Sequence, residues 1–327
     1  MGDARAELAG RITGFIVSQA VYVAAKLRVA DALTEGPRSA HDLAAQTGAD
    51  PDALYRVLRL LSAHGIFVEH QAGTFANSES SELLRDAPGS FRDFALVFGE
   101  EFYPAFGGLQ RTVETGEPSF DAFFGQAWDD YLAAHPEKSA RFNRFMAGGG
   151  KEAIVEALGP WRGDETVVDV GGGNGALLEA LLGREPELRG VVFDLPHVAA
   201  EAEQRIGAAG LADRCRVVAG DYFEGVPEGA DVYVLSRILH GWDDERARAI
   251  LRAVRRAVAN DGRLLIVNGV VAPPNDPGEK LLDLVMLAVG GRERTESEWR
   301  PLLESGGFEL ARIRPGPPET VLEALPI

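Results

Sequence analysis

At 327 residues, 46% of them apolar, the chain has material for two cores, and 33 basic against 50 acidic residues give it a formal charge of −17. That charge disfavours a surface that tracks nucleic-acid phosphates or an anionic membrane. A single cysteine, Cys215, excludes a disulfide framework, and six scattered histidines show no metal-ligand spacing, so a reducing cytoplasm and no metal are expected. The amino terminus MGDARAELAGR lacks the apolar core of a signal peptide, and no uninterrupted apolar run approaches the ~18 residues of a membrane span.

In chain order, Leu8, Ile12, Phe15, Ile16, Ala20 and Val23 recur at helical spacing from about Ala6 to Thr34, before Gly36-Pro37 breaks the pattern. A helix this long and apolar needs a partner. The following stretch to Glu79 reads as helix, turn, helix and two short strands around Gly73, a winged-helix outline. Asp50 is the predicted N-cap of its second helix, with Pro51 at the first helical position and Leu54, Val57, Leu58 and Leu61 as the buried stripe. A DNA-reading helix would bring cations to phosphates, and this one offers only Arg56 and Arg59, so a dimerisation platform is the better reading. Residues 80–150 look mostly helical. Their aromatics suit core packing, and some are candidates to line a pocket for a flat substrate, including Phe142, with Asn143 and Met146, in "FNRFMAGGG".

Near residue 150 the texture changes, dividing the chain into a helical domain, 1–150, and an α/β domain, 151–327. Strand candidates at 166–170, 190–195, 215–221, 231–236 and 263–271 alternate with helices, the signature of a Rossmann-like, doubly wound parallel sheet. Ligands of such sheets bind beyond the carboxyl ends of the strands. There "VVDVGGGNGALLEAL" sets Gly171, Gly172, Gly173 and Gly175 between strand and helix, where the backbone can turn tightly and approach a ligand. The spacing alone also satisfies a dinucleotide fingerprint. Asp194, closing the second strand, is placed for a ribose diol, and Asp221, closing the third, for an adenine amino group. The last has no natural role in NAD binding, which favours S-adenosyl-L-methionine; taken singly, either aspartate suits a strand-end cap.

The motifs "DVGGGNG", "VFDLPHV", "GDYFEGVPEGADVYVLSRILHGWDDERARAIL", "GRLLIVNGVV" and "MLAVGGRERTESEWRPLLESGGF", in that order, resemble the S-adenosylmethionine-dependent O-methyltransferases of the plant caffeate and bacterial polyketide-tailoring type. The resemblance covers the whole chain and implies a winged-helix dimerisation domain, a homodimer, and a phenolic or polyketide-like small molecule as substrate. It places Gly171 and its neighbours, Gly173 among them, against the methionine part, Asp194 on the ribose, and Gly220, Asp221 and Tyr222 around the adenine, with Arg237 or Ser236 nearby. His240 falls on the family's general base, Glu293 on a carboxylate that orients the imidazole, and Met286 on a methionine lining the substrate.

Two departures stand out: Gly241 where many relatives have aspartate, and Asn268 where they carry a glutamate. The amide is expected to accept a hydrogen bond from an imidazole N–H without stabilising imidazolium by charge, which would make His240 a weaker base. A phenol with a reference pKa near 10 yields little phenolate at neutral pH, so an imidazole that takes the proton as the oxygen attacks helps the reaction without a metal. Asp243 or Asp244 should cap the next helix, packed through Ala247, Ile250, Leu251, Val254 and Val258. Asn268 also motivates an alternative, a methyltransferase-fold enzyme that binds the same cofactor but catalyses hydroxylation or cyclisation; a non-enzymatic winged-helix regulator is the third reading.

Overall fold

The computed structural model describes all residues except 1, 88, 148–150, 272–276 and 317–319. Backbone contacts divide it into two units, Met1–Gly108 with Phe123–Gly148, and Leu109–Ala122 with Gly149–Ile327. The short stretch 109–122 thus lies with the second unit rather than with the sequence around it.

In the first unit, the helices Ala40–Thr47 and Pro51–Ala63 are followed by strands β2 (Phe67–Gln71) and β3 (Thr74–Asn77), and β1 (Arg38–Ser39) pairs with β3 to complete a three-stranded wing. Asp50 caps the second helix by accepting from Ala53 N at 2.8 Å, with Pro51 at its start. Leu54, Leu58 and Leu61 are buried and Val57 partly so, around Phe67 and Phe75. The first helix, Gly2–Lys26, buries only its C-terminal half, through Ala20, Ala24 and Ala25. Leu8, Ile12, Phe15 and Ile16 remain between 47% and 64% exposed, an apolar stripe at helical spacing. By length and mean hydropathy, 1.3 over its most apolar stretch, this helix is long and apolar enough to cross a membrane, although Glu7 and Arg11 interrupt its apolar run.

The second unit carries a seven-stranded sheet. Strands β4 (Thr166–Val170), β5 (Arg189–Asp194), β6 (Cys215–Ala219), β7 (Val232–Ser236) and β8 (Arg263–Asn268) are parallel in the order β6-β5-β4-β7-β8, and β9 (Phe308–Arg314) and β10 (Thr320–Pro326) extend it antiparallel as β8-β10-β9. The order reverses at β4, which creates the crevice where such sheets hold ligands. β7 and β8 are apolar on both faces because helices cover both sides of the sheet. Helix Asp244–Ala257 is capped by Asp243, whose carboxylate accepts from Arg246 N at 2.8 Å, and its Ala247, Ile250, Leu251 and Val254 are fully buried, with Val258 beyond it. This cap and this face fix the turn Leu239–Gly241, which carries His240, at the carboxyl end of β7.

Candidate active site

The glycine turn leaves β4 with Gly171, Gly173 and Gly175 all at positive φ (71°, 58° and 79°), a backbone path open to glycine at little cost. Gly171 N and Gly172 N both donate to the Phe193 carbonyl, at 2.8 and 3.2 Å, so the turn is tied to the neighbouring strand. A Cβ on Gly173 would meet nothing within 4 Å, which leaves this residue open to a ligand, whereas one on Gly171 would lie 2.5 Å from Ile238 Cδ1. Asp194 closes β5, and its carboxylate accepts from Gly173 N at 2.8 Å and Leu195 N at 2.7 Å. Burial raises its pKa, partly offset by those two backbone donors and by the nearby His197. Asp221 accepts from Phe223 N at 2.8 Å in a side-chain turn that presents Tyr222 and Phe223. Both rings pack edge-on against Trp242, Phe223 at 5.1 Å and Tyr222 at 6.5 Å between centroids. A Cβ on Gly220 would sit 2.5 Å from the Phe193 ring, so a side chain there would push the turn outward. An open glycine turn, a half-buried carboxylate and an aromatic shelf at adjacent strand ends offer the kinds of contact that S-adenosylmethionine needs.

Ser236 ends β7, and Arg237 takes the left-handed conformation, φ 60°, while its N–H donates to Val267 O at 2.9 Å. Such backbone in a non-glycine residue is uncommon and clusters at functional sites. It turns the chain so that Ile238 meets Gly171 and His240 follows on a short 3-10 turn. His240 Nδ1 lies 2.6 Å from Glu293 Oε1. An ionised carboxylate only accepts, so Nδ1 carries the hydrogen, and in the neutral ring Nε2 keeps its lone pair. Glu293 is itself buried, takes the Asn268 amide on its other oxygen at 2.7 Å, and donates its own N–H to Asp283 at 2.9 Å. The expectation for Asn268 is thereby corrected. Its Nδ2 donates to Glu293 rather than its oxygen accepting from the imidazole, because the carboxylate, an acceptor with two oxygens, lies between them.

Met286 is half-buried on helix Gly278–Val289 of the same unit, and its carbonyl accepts from Gly291 N at 2.9 Å. The second unit thus brings together His240, Glu293 and the segment that carries Met286. Phe142, Asn143 and Met146 lie half-buried on Pro136–Ala147 of the first unit, where Phe142 packs edge-on to Trp128 at 5.1 Å. Asp283, Ile238 and Trp242 were not anticipated; the position of Trp242 two residues after the histidine, beside a helix cap, is the signal that would have found it. Among the described residues no group of three or more potential metal ligands occurs.

A family model for the O-methyltransferase domain matches residues 106–309, and one for the O-methyltransferase dimerisation domain matches residues 10–86. The chain belongs to the S-adenosylmethionine-dependent O-methyltransferases. This methyltransferase is 44% identical to the phenazine O-methyltransferase PhzM of Lysobacter antibioticus over 325 residues, 97% of this chain and 94% of that one. The solved mitomycin 7-O-methyltransferase MmcR is similar along 100% of this chain and 98% of its own, with 35% identity and a TM-score of 0.94. An O-methyltransferase from neocarzinostatin biosynthesis, solved with S-adenosyl-L-homocysteine and 1,4-dihydroxy-2-naphthoic acid, covers 95% and 96%, with 34% identity and a TM-score of 0.85. The enzyme uses S-adenosylmethionine, and none of these relatives supports the non-methylating alternative.

Proposed function

We propose that this enzyme methylates a phenolic hydroxyl of a planar aromatic or polyketide-like small molecule in antibiotic-type secondary metabolism, with His240 as general base. The observation that carries the reading is the 2.6 Å contact between His240 Nδ1 and Glu293, which fixes one tautomer and leaves Nε2 as proton acceptor. The relatives' phenazine, mitomycin and naphthoate names support a fused-ring substrate. Bound S-adenosylmethionine supplies an electrophilic methyl group on a sulfonium, so the chain's own task is to hold and deprotonate the hydroxyl. Gly171 and Gly173 hold the cofactor's amino-acid part, Asp194 the ribose, and Gly220, Asp221 and Tyr222 the adenine, with Ser236 and Arg237 at the strand end beside them. Nε2 takes the hydroxyl proton as the oxygen attacks, and the Glu293 carboxylate stabilises the imidazolium that results. Phe142, Asn143, Met146 and Met286 are the proposed substrate contacts.

The exposed stripe Leu8, Ile12, Phe15 and Ile16 falls largely on the segment matched by the dimerisation model from residue 10, and a second copy of the chain is its proposed cover. A cytoplasmic location agrees with a buried lone thiol, Cys215, that burial pushes up to about 11. The test is a screen of hydroxylated phenazines, naphthoates and benzoates with saturating S-adenosylmethionine. Product heavier by one methylene unit, formed with equimolar S-adenosylhomocysteine, is expected; turnover of no hydroxylated aromatic by protein that binds the cofactor would overturn the substrate reading.

A further inference from the structure

The residue after Glu293 is a fully buried arginine. Burying a guanidinium is costly unless its donors are matched, so a fully buried one marks a position whose contacts matter. Arg294 spends its fork on the turn that carries His240. Nη1 donates to Leu239 O at 2.9 Å, Nη2 to Trp242 O at 2.9 Å, and Nε to Asp244 Oδ1 at 3.0 Å, so residues on both sides of the histidine are held by one rigid plane. The guanidinium also lies over the Trp299 ring, 5.4 Å from its centroid. Its backbone is anchored to the sheet: Arg294 bridges Val270 just beyond β8, and its carbonyl accepts from Val271 N at 2.9 Å. The neighbours act on the same turn. Arg292 N donates to His240 O at 2.8 Å, and a Cβ on Gly291 would overlap that carbonyl oxygen, so only glycine allows the two backbones to approach this closely.

We propose that Arg294 is a positioning residue for methyl transfer, holding the His240 turn against Glu293 so that Nε2 stays aimed at the substrate hydroxyl, with Gly291 making room for that contact. The inference rests on the reading of His240 as base. Arg294 touches neither the imidazole nor the glycine turn in the described contacts, and its one link toward the aromatic shelf is to the Trp242 carbonyl rather than to the ring that meets Tyr222 and Phe223, so the expected cost of its loss falls on the placement of His240.

The test is a double-mutant cycle in single-turnover methyl transfer at saturating S-adenosylmethionine, with Arg294→Met and His240→Ala singly and together, and cofactor affinity measured for each. A displacement of about 1 Å at a reacting group costs ~100-fold. Arg294→Met should therefore lose about 100-fold in rate with cofactor affinity within about twofold of wild type. In the His240→Ala background the same substitution should cost less than about threefold, because there is no base left to misplace. Equal losses in both backgrounds would show a general scaffold role and overturn the proposal. If Arg294→Met does not fold, Asp244→Asn, at a half-exposed site, removes only the charged partner and goes through the same cycle, with a smaller loss expected only where His240 is present. Full activity of His240→Ala would overturn the base reading itself, whereas a slow His240→Ala beside an unimpaired Arg294→Met would overturn the positioning role alone.

Discussion

Glu100 in the first unit and Glu293 in the second are both largely buried carboxylates beside cationic or potentially cationic groups, yet they are built for opposite ends. Glu100 sits on a π-helical turn, Phe98–Phe102, and meets Lys26, Lys138 and Arg141. Burial alone would push its carboxyl up, but hydrogen bonds from those three cations outweigh it and hold the group at about 2. All three partners are donors with no lone pair to offer a substrate proton, so the cluster is a brace. Glu293 meets an imidazole and a neutral amide instead. An imidazole, unlike an ammonium or a guanidinium, has a ring nitrogen whose lone pair can take up a proton, so the same carboxylate can support proton transfer. What separates a brace from a proton-accepting device is whether the partner has a lone pair left to accept a proton.

The comparison is tested most severely by His240→Ala. General-base contributions of 10² to 10⁴ predict a loss of about two to four decades in kcat with cofactor affinity unchanged, measured by turnover and calorimetric titration. Asp194, a half-buried carboxylate met by backbone N–H groups, sharpens the contrast from a third side. Asp194→Ala should weaken S-adenosylmethionine binding by about 10- to 100-fold, the range for hydrogen bonds to a charged acceptor. Because burial raises its pKa above 3.8, affinity in the wild type should also fall on acidification at a pH above that of an ordinary aspartate, as titrations across pH would show. Asn268→Ala removes one hydrogen bond from Glu293 and should cost about tenfold in kcat, about 1.4 kcal/mol, while sparing cofactor binding.

Glu100→Gln should do the reverse, lowering stability by about 1–2 kcal/mol after allowance for solvent around the cluster and leaving cofactor affinity unchanged. A carboxylate depressed from 4.5 to about 2 contributes this stability in full above pH 4.5 and loses it as the pH falls toward 2. Wild type and Glu100→Gln should therefore converge in denaturant midpoint on acidification. A constant gap between them down to pH 2 would contradict the brace.

The strand–turn–helix frame of the second unit was legible because its signals are local. The β-rich run Thr166–Val170 and the glycines that follow it lie in one short stretch, and the Asp50 and Asp243 caps each stand directly before the helix they start. Strands Phe308–Arg314 and Thr320–Pro326 escaped notice because their antiparallel pairing depends on an edge supplied by β8, far away in sequence. The pairing of His240 with Glu293 followed from the family pattern, but the direction of the Asn268 amide did not. An amide donates or accepts according to the neighbour it meets, and that neighbour is set by the fold. Arg294 was invisible for a related reason: composition places arginine at the surface, and it is the carbonyls of Leu239 and Trp242, the Asp244 carboxylate and the Trp299 ring, brought together by the fold, that explain its burial.

The most direct test of the account is the pH dependence of single-turnover methyl transfer to a phenolic substrate, for wild type and His240→Ala, at saturating S-adenosylmethionine. The account predicts that wild type reaches its plateau at a pH where free phenol, with a reference pKa near 10, is still protonated, while the variant keeps rising with phenol ionisation. Superimposable profiles would contradict the assignment of His240 as the base.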